Sequence, residues 1–311
     1  MKRWFRLMIG VAICSWGLSA VAQDKVRMGY IPIATVAGFL IALDKGFFKE
    51  VNIAPEPVVV PGGPAILAAI AGGSLQFGYG SYVGMMQARE QGLDFVIVAA
   101  NDAENPKPSI SGVLVLNDSG INSAKDLEGK HLAVNALRNI NWVYIYAWMA
   151  KHGADPKKVS IIEVGFPNMG SALRAKRVQA AFFSEPFMTA EMDAGGVRAL
   201  SYPFAEFDPG MPIAGWYASD KWAKANPDLV RRFAGAIKKG NEYATKNPAE
   251  RNAILAKYTK IDAKMIGRIV MPNFPTKVDV SGLQRQADTA LQYGALTQRL
   301  DVAPLVLDSA K

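Results

Sequence analysis

The stretch KVRMGYIPIATVAGFLIALDKGFFKE, Lys25 to Glu50, decides the fold of this chain. It opens with apolar residues that alternate with Arg27 and Gly29, the period of a half-buried strand. Pro32 has no amide hydrogen to give to a sheet, so the strand ends there. Thr35 then offers an N-cap hydroxyl, and apolar residues follow at helical spacing. The stretch therefore predicts a strand, a loop and a helix in direct succession.

The same unit recurs along the chain. Gly62 and Gly63 precede a second helix, and Gly80 and Ser81 precede a third. A loop from the carboxyl end of a strand into a helix directs free amides and a positive dipole end to one place, where open α/β sheets bind ligands. Strands are predicted at 55–60, 75–81, 95–100, 112–116, 131–134, 160–164 and 180–183, and the region after 214 is predicted to be mostly helical. We therefore expect two α/β halves that face each other across a cleft.

The first 22 residues are typical of a secretory signal. A basic start is followed by an apolar run from Leu7 to Leu18, and Ala20 to Ala22 forms a small-x-small cleavage site. We expect cleavage after Ala22, with a retained anchor as the alternative. The only cysteine, Cys14, lies inside this segment. The mature chain would therefore have no thiol, disulfide or cysteine-bound metal.

Charge and histidine content narrow the function further. The formal net charge is +8 for the whole chain, and without the three basic residues of the signal it is 32 minus 27, or +5. Basic residues are not clustered in a stripe with aromatic residues, so we expect no nucleic-acid partner. His131 and His152 are the only histidines and are far apart in sequence. We therefore expect no metal site.

Four motifs resemble the solute-binding proteins of ABC importers, specifically the nitrate/sulfonate/taurine-type family that is related to thiamine-precursor pyrimidine-binding proteins. The motifs are Met28–Pro32 (MGYIP), Asp44–Lys49 (DKGFFK), Asp126–Val134 (DLEGKHLAV) and Ser184–Phe187 (SEPF). Where that family often has Gly-x-x-Asp before a strand, this chain has Gln76 and Gln179, with Lys176 in place of the glycine. These departures bear on the subfamily more than on the fold.

The resemblance implies an α/β, bilobal type II periplasmic-binding-protein fold, with two α/β lobes joined by two hinge crossings. Lobe 1 would comprise residues 23–112 plus 214–311, and lobe 2 residues 113–213. It also implies a periplasmic monomer that has no catalytic residues and no cofactor. Its partners would be a small-molecule ligand, an ABC permease and the ATPase of that permease.

The candidate ligand-binding residues lie at the predicted strand ends and helix starts. They are Ile33, Thr35, Gly62, Gly63, Tyr79, Gly80, Ser81, Asn101, Arg138, Asn139, Glu185 and Trp216. The alternative for the glycines and hydroxyls is ordinary turn and cap formation. Arg138 would pair with a carboxylate or sulfonate, or be a solvated loop cation. Glu185 would accept from a ligand donor, or form a structural ion pair.

Three further functions are open. The expected ligand is a small organic anion, a sulfonate or a carboxylate. A thiamine-precursor pyrimidine is the alternative ligand, and Glu185 would favour it. A pyrimidine-synthase-like enzyme shares the fold, but those enzymes carry a cysteine-rich motif that the predicted mature chain lacks. A sensor whose loaded form binds a membrane kinase would need the same lobe closure as a transporter component.

Overall fold

The computed structural model describes residues 23–259 and 261–311, so the predicted signal segment, residues 1–22, lies outside the described residues. Strands within these ranges are β1 (Asp24–Tyr30), β2 (Ile53–Val59), β3 (Phe77–Ser81), β4 (Phe95–Ala103), β5 (Ser111–Leu116), β6 (His131–Val134), β7 (Ser160–Glu163), β8 (Ala180–Ser184), β9 (Val197–Ser201) and β10 (Pro212–Ser219).

Helices cover both faces of the sheets. They are α1 (Ala37–Asp44), α2 (Phe47–Glu50), α3 (Gly63–Ala71), α4 (Tyr82–Glu90), α5 (Ile140–Lys151), α6 (Phe166–Arg174), α7 (Phe187–Asp193), α8 (Pro203–Phe207), α9 (Asp220–Ala225), α10 (Pro227–Lys246), α11 (Pro248–Thr259), α12 (Ala263–Ile266) and α13 (Val280–Gln292). No helix in the described part of the chain is long and apolar enough to cross a membrane.

The strands form two five-stranded sheets with the same plan. The first has the order β2-β1-β3-β10-β4 and the second β7-β6-β8-β5-β9. In each sheet the three leading strands are parallel, and one antiparallel strand follows, β10 in the first sheet and β5 in the second. The predicted bilobal α/β fold is confirmed. The chain passes between the sheets twice, through residues 104–110 and 202–211.

Two glutamines show how closely the sheets correspond. The backbone amide of Arg27 donates to Gln76 Oε1 at 2.9 Å, and that of His131 donates to Gln179 Oε1 at 3.0 Å. In return, the backbone amide of each glutamine donates to the backbone carbonyl of the same partner residue. Gln76 and Gln179, which depart from the family pattern, therefore extend the parallel ladder at equivalent places in the two sheets.

The strands β9 and β10 were not predicted, and β4 is longer than predicted. Asn101 and Asp102 lie inside β4 rather than beyond its end. β10 runs through Pro212 and Gly215 and pairs with β3 and β4, more than 100 residues earlier in the chain. Proline and glycine normally interrupt strands, so the local sequence predicts no strand here. Pairing with β3 and β4 nevertheless stabilises β10 as a strand.

Candidate ligand-binding cleft

A small cavity lies between the two sheets, with residues of both on its walls. Its volume is about 60 Å³, which corresponds to about four to six water molecules at 10–15 Å³ each. Its lining residues are Ile31, Ile33, Thr35, Gly63, Tyr79, Gly80, Ser81, Asp102, Ile110, Asn135, Asn139, Ile140, Asn141, Phe166, Ser184, Phe204, Ile213 and Ala214. The lobes are therefore closed on each other, leaving a narrow chamber with a mostly apolar lining and several polar side chains.

Four helix starts converge on this chamber. Gly63 begins α3, Ser81 caps α4, Asn139 caps α5 and Phe166 begins α6, and all four line the cavity. The two earlier helices follow the first sheet, and the two later ones belong to the second. Each start brings unpaired amides and the positive end of a helix dipole, so the chamber favours negative charge.

The caps of α4 and α5 touch across the cleft. Ser81 Oγ donates to Asn139 Oδ1. Ser81 Oγ also accepts from the amide of Gly84 at 3.2 Å, and Asn139 Oδ1 accepts from the amide of Ile140 at 2.7 Å. One hydrogen bond therefore joins two opposing helix starts in the closed arrangement.

The floor of the chamber is a buried polar network around Asp102. Asp102 Oδ1 accepts from Tyr79 Oη at 3.0 Å and from Asn101 Nδ2 at 2.9 Å. Thr35 Oγ1 lies 2.5 Å from Tyr79 Oη, and Trp216 Nε1 donates to Asn101 Oδ1 at 3.0 Å. Burial raises the pKa of Asp102 to about 7, although the bonds from Asn101 and Tyr79 oppose that shift.

The chamber has no basic wall. Among its lining residues, all within the described ranges, none is lysine, arginine or histidine. No group of three or more histidine, cysteine, aspartate or glutamate residues in the described chain is placed to hold a metal ion. Any negative charge in the chamber would thus be held by backbone amides, hydroxyls and asparagine amides.

Seven of the twelve predicted site residues line the chamber and five do not. Those that line it are Ile33, Thr35, Gly63, Tyr79, Gly80, Ser81 and Asn139. Gly62 lies just outside as the N-cap of α3, and Asn101 is buried beneath Asp102. Thr35 does not cap α1 as predicted, because it lies inside a 3-10 turn and its hydroxyl meets Tyr79.

Arg138 is outside the chamber, contrary to its predicted place. Its side chain is exposed, and Nη2 donates to the carbonyl of Gly294 at 2.6 Å. Gln87 of α4 completes this contact by donating to the carbonyls of Arg138, at 2.7 Å, and Ala295, at 3.0 Å. The segment after α13 lies over this loop and engages the guanidinium, an approach that local sequence does not reveal.

Glu185 is also outside the chamber. It follows Ser184, which does line the cavity, and consecutive residues of an extended chain point to opposite sides. Its carboxylate is buried and accepts from Thr189 Oγ1 at 2.8 Å and from the amide of Val270 at 3.3 Å. The ion pair that was one alternative for Glu185 does not form among the described residues, and burial raises the pKa of this carboxyl.

Trp216 lies in the core rather than on the cleft wall. Its side chain is 0% exposed, since β10 is the fourth strand of the first sheet and is paired on both sides. The ring packs against Phe39 and Phe233, with centroids 4.7 and 5.4 Å away. Trp216 therefore supports the network below the chamber instead of contacting a solute.

The structure adds polar residues that were not among the predicted site residues, namely Asp102, Asn135 and Ser184, and it places Asn141, a possible helix cap or ligand contact from the sequence, on the same wall. Asn141 Nδ2 donates to Asn135 Oδ1 at 2.6 Å, which orients both amides beside the start of α5. Each of these residues is adjacent to, or within four positions of, a residue that was predicted. The strand ends in the sequence therefore indicated the correct loops. The prediction was wrong about which side chain of each loop faces the chamber.

Comparison with known proteins places the chain in a family. Residues 33–251 match the family described as NMT1/THI5 like. A Brucella abortus protein that is provisionally named a binding protein is 25% identical over 316 residues, covering 97% of this chain and 96% of the relative. The Saccharomyces cerevisiae 4-amino-5-hydroxymethyl-2-methylpyrimidine phosphate synthase THI5 is 23% identical over 246 residues, or 74% of this chain and 70% of the synthase.

The fold also matches a solved structure. The alkanesulfonate-binding protein SsuA from Xanthomonas axonopodis pv. citri, bound to MOPS, superimposes with a TM-score of 0.78 at 20% identity, covering 93% of this chain and 99% of that chain. The resemblance predicted from the four sequence motifs is thereby confirmed. Because the family match spans well over half of its length, this protein belongs to the NMT1/THI5-like family.

Proposed function

We propose that this protein is the substrate-binding component of an ABC importer. It captures a small solute between its lobes and delivers it to a membrane permease and the associated ATPase. Family membership and the SsuA-like fold support this function. The observation that carries it is the closed cleft, in which helix starts from both sheets line a chamber of about 60 Å³.

The proposed location is the periplasm, after cleavage of the predicted signal near Ala22. Mass spectrometry of the secreted protein should give a chain that begins at Gln23. A mass that includes Met1, or a lipid on Cys14, would contradict this location.

The proposed ligand carries a small anionic head, such as a sulfonate or carboxylate. Four converging helix starts support it, each worth roughly 0.3 to 1 kcal/mol at low ionic strength. Arg138 no longer contributes to this argument, because its guanidinium binds Gly294 outside the chamber. The head would instead be held by amides near Gly63 and Ser81 and by Asn139, in the manner of anion sites at helix starts.

A pyrimidine-synthase activity is the alternative that the yeast relative raises. Resemblance to such synthases implies a cysteine-rich motif together with a histidine and a lysine. No residue of these types lines the described chamber. A binding function without catalysis is therefore the better proposal, and an absorbing cofactor in the purified protein would revive the alternative.

Lobe closure is the mechanism that we propose, as in other periplasmic binding proteins. The two crossings, residues 104–110 and 202–211, would act as the hinge, and the parts of the chain that carry the first and the second sheet would move as bodies. A closed chamber of this size admits a solute only after the lobes separate. The bond between Ser81 and Asn139 would then break and re-form once per binding event.

Ligand screening followed by X-ray scattering tests this function. A thermal-unfolding screen of sulfonates, aromatic carboxylates, nitrate, bicarbonate and pyrimidines should find at least one solute that stabilises the protein. At 100 times its Kd, a ligand adds about 2.7 kcal/mol to the free energy of unfolding. With that solute the radius of gyration should decrease. An unchanged radius at saturation would count against closure, and transport by a reconstituted permease would separate an importer from a sensor.

A further inference from the structure

The chamber floor contains one buried acceptor for which the protein supplies no donor. Asp102 is 0% exposed and lines the cavity. Its Oδ1 accepts two hydrogen bonds, from Tyr79 and Asn101, whereas its Oδ2 has no partner among the described residues. Buried carboxylate oxygens are almost always hydrogen-bonded, so this asymmetry needs an explanation.

The donors around Asp102 are already committed. The amide of Asn101 gives one hydrogen to Asp102 Oδ1 and the other to the carbonyl of Thr35, 2.9 Å away. Tyr79 Oη donates to the same Oδ1, and Tyr217 Oη donates to the carbonyl of Gly80. The second hydrogen of Asn101 and the hydroxyl of Tyr217 could turn to Oδ2 only by leaving the backbone carbonyl of Thr35 or Gly80 without that bond.

We propose that Asp102 Oδ2 receives a hydrogen bond from the bound solute, and that Asp102 selects solutes that carry an amino or amide N–H. This inference rests on the proposed function of the cleft and narrows its ligand class. The solute would place its anionic head at the helix starts and its N–H donor on the floor. An anion without a donor would leave Oδ2 unpaired and would face a second negative charge.

The size of this selection follows from the cost of an unpaired buried acceptor. Leaving such a group unsatisfied weakens binding by about ten- to a hundredfold. Sites that hydrogen-bond a solute discriminate strongly against an analogue that lacks the matching group. The small chamber also limits the solute, since about 60 Å³ leaves few alternative positions for its donor.

Matched pairs of solutes, in which the two members differ by one amino group, test the inference on the unmodified protein. The pairs are 3-aminopropanesulfonate and propanesulfonate, 3-aminopropanoate and propanoate, and 4-aminopyrimidine and pyrimidine. Calorimetry is run at pH 8, above the pKa of about 7 to which burial raises Asp102. In at least one pair the amino member should bind tenfold or more tightly than its partner. If in no pair the amino member binds more tightly, the inference is wrong.

Two variants then assign the selection to a residue. Asp102→Asn presents an amide in place of the carboxylate and should reduce the preference for the amino member at least tenfold. Glu185→Gln is the matched control, a buried carboxyl outside the chamber, and should keep the preference. Retention of the preference in Asp102→Asn would overturn the assignment.

The outcomes separate this inference from the proposed function. Equal binding of both members in every pair that binds overturns selection by Asp102 but leaves solute capture intact. Binding of none of the six probes contradicts both the inference and the proposed ligand class. Circular dichroism and thermal unfolding of Asp102→Asn establish that the variant is folded before its affinities are compared.

Discussion

Asp102 concentrates the chemistry of the cleft in one side chain. In the folded protein its pKa is raised to about 7 from an ordinary value of 3.8. Tyr79, Tyr82 and Tyr217 face the same carboxyl, and burial raises their own pKa values, so they stay neutral. Glu104, the residue after β4, adds repulsion that also raises the pKa of Asp102.

Stability should fall as the pH rises past this group. Between pH 4 and pH 7, Asp102 keeps a proton in the folded state that it has lost in the unfolded chain. The free energy of unfolding therefore decreases as the pH rises, by up to roughly 1.4 kcal/mol per pH unit across this range. Asp102→Asn does not titrate and should have a flatter profile. Urea unfolding at pH 5 and pH 8 measures both profiles. Since buried Glu104 and Glu185 remain in both proteins, parallel profiles would mean that Asp102 is not the source.

Arg138 should affect closure rather than ligand choice. Its exposed guanidinium donates to the carbonyl of Gly294, and Thr297, close behind, is tied to α4 through Glu90. Arg138→Ala should destabilise the closed state by about 1 kcal/mol, because the lost bond is solvent-exposed. Calorimetry should then show all solutes bound about fivefold more weakly with their ranking unchanged. Arg177→Ala, an exposed arginine of the second sheet region, is the control. If Arg138→Ala weakened the binding of anionic solutes only, Arg138 would instead belong to the ligand-binding site.

At the level of elements, helix packing supports the first sheet through two glycines. α1 and α10 cross so closely that a Cβ on Gly240 would lie 2.1 Å from the carbonyl oxygen of Gly38. The oxygen belongs to the backbone of α1, and the added Cβ would be fixed directly to the backbone of α10, so neither can move aside as the end of a flexible side chain does. The start of α1 is thereby held next to Thr35 and the chamber floor.

Gly240→Ala should therefore destabilise the protein. Overpacking at a tight site costs about 1–3 kcal/mol, which exceeds the gain from replacing glycine in a helix. Gly235→Ala lies on the exposed side of the same helix with nothing within 4 Å of the added carbon, and should stabilise by about 0.5–1 kcal/mol. Chemical denaturation of both variants gives the comparison. Equal effects of the two substitutions would contradict the close crossing.

For the whole molecule, the shared strand order of the two sheets makes closure the central motion. Leu93 and Leu137 are 38% and 50% exposed and line a groove at the cleft mouth, one beside each sheet. Because the predicted mature chain has no native cysteine, spin labels would attach only to cysteines that are introduced at these two positions. The distance between the two labels thus follows the opening of the cleft.

We expect the distance between labels at Leu93→Cys and Leu137→Cys to shorten when ligand is added. Electron–electron resonance measures the distance in the free and saturated protein. Labels at Leu93→Cys and Val59→Cys, both beside the first sheet, are the control and should keep their separation. Shortening in both pairs would indicate general compaction, and shortening in neither would contradict hinge closure.

The repeating strand, loop and helix were determined by the sequence itself. Alternation before Pro32, glycines before helices and short apolar runs are local signals, and β6 (His131–Val134) has the predicted bounds. Four motifs also indicated the family. Seven of the predicted site residues line the chamber because strand ends and helix starts are positions along the chain, and the fold brings such positions together.

Only the tertiary structure decided which side chains of those loops face the cleft. β10 is a strand because β3 and β4 pair with it from far away in sequence, and that pairing buries Trp216. Arg138 is drawn out of the site by carbonyls 156 residues later. Asp102 became the floor because β4 continues past its predicted end. Each of these outcomes depends on contacts between distant segments, and a side chain's direction reverses with a shift of one residue, so no local pattern determines it.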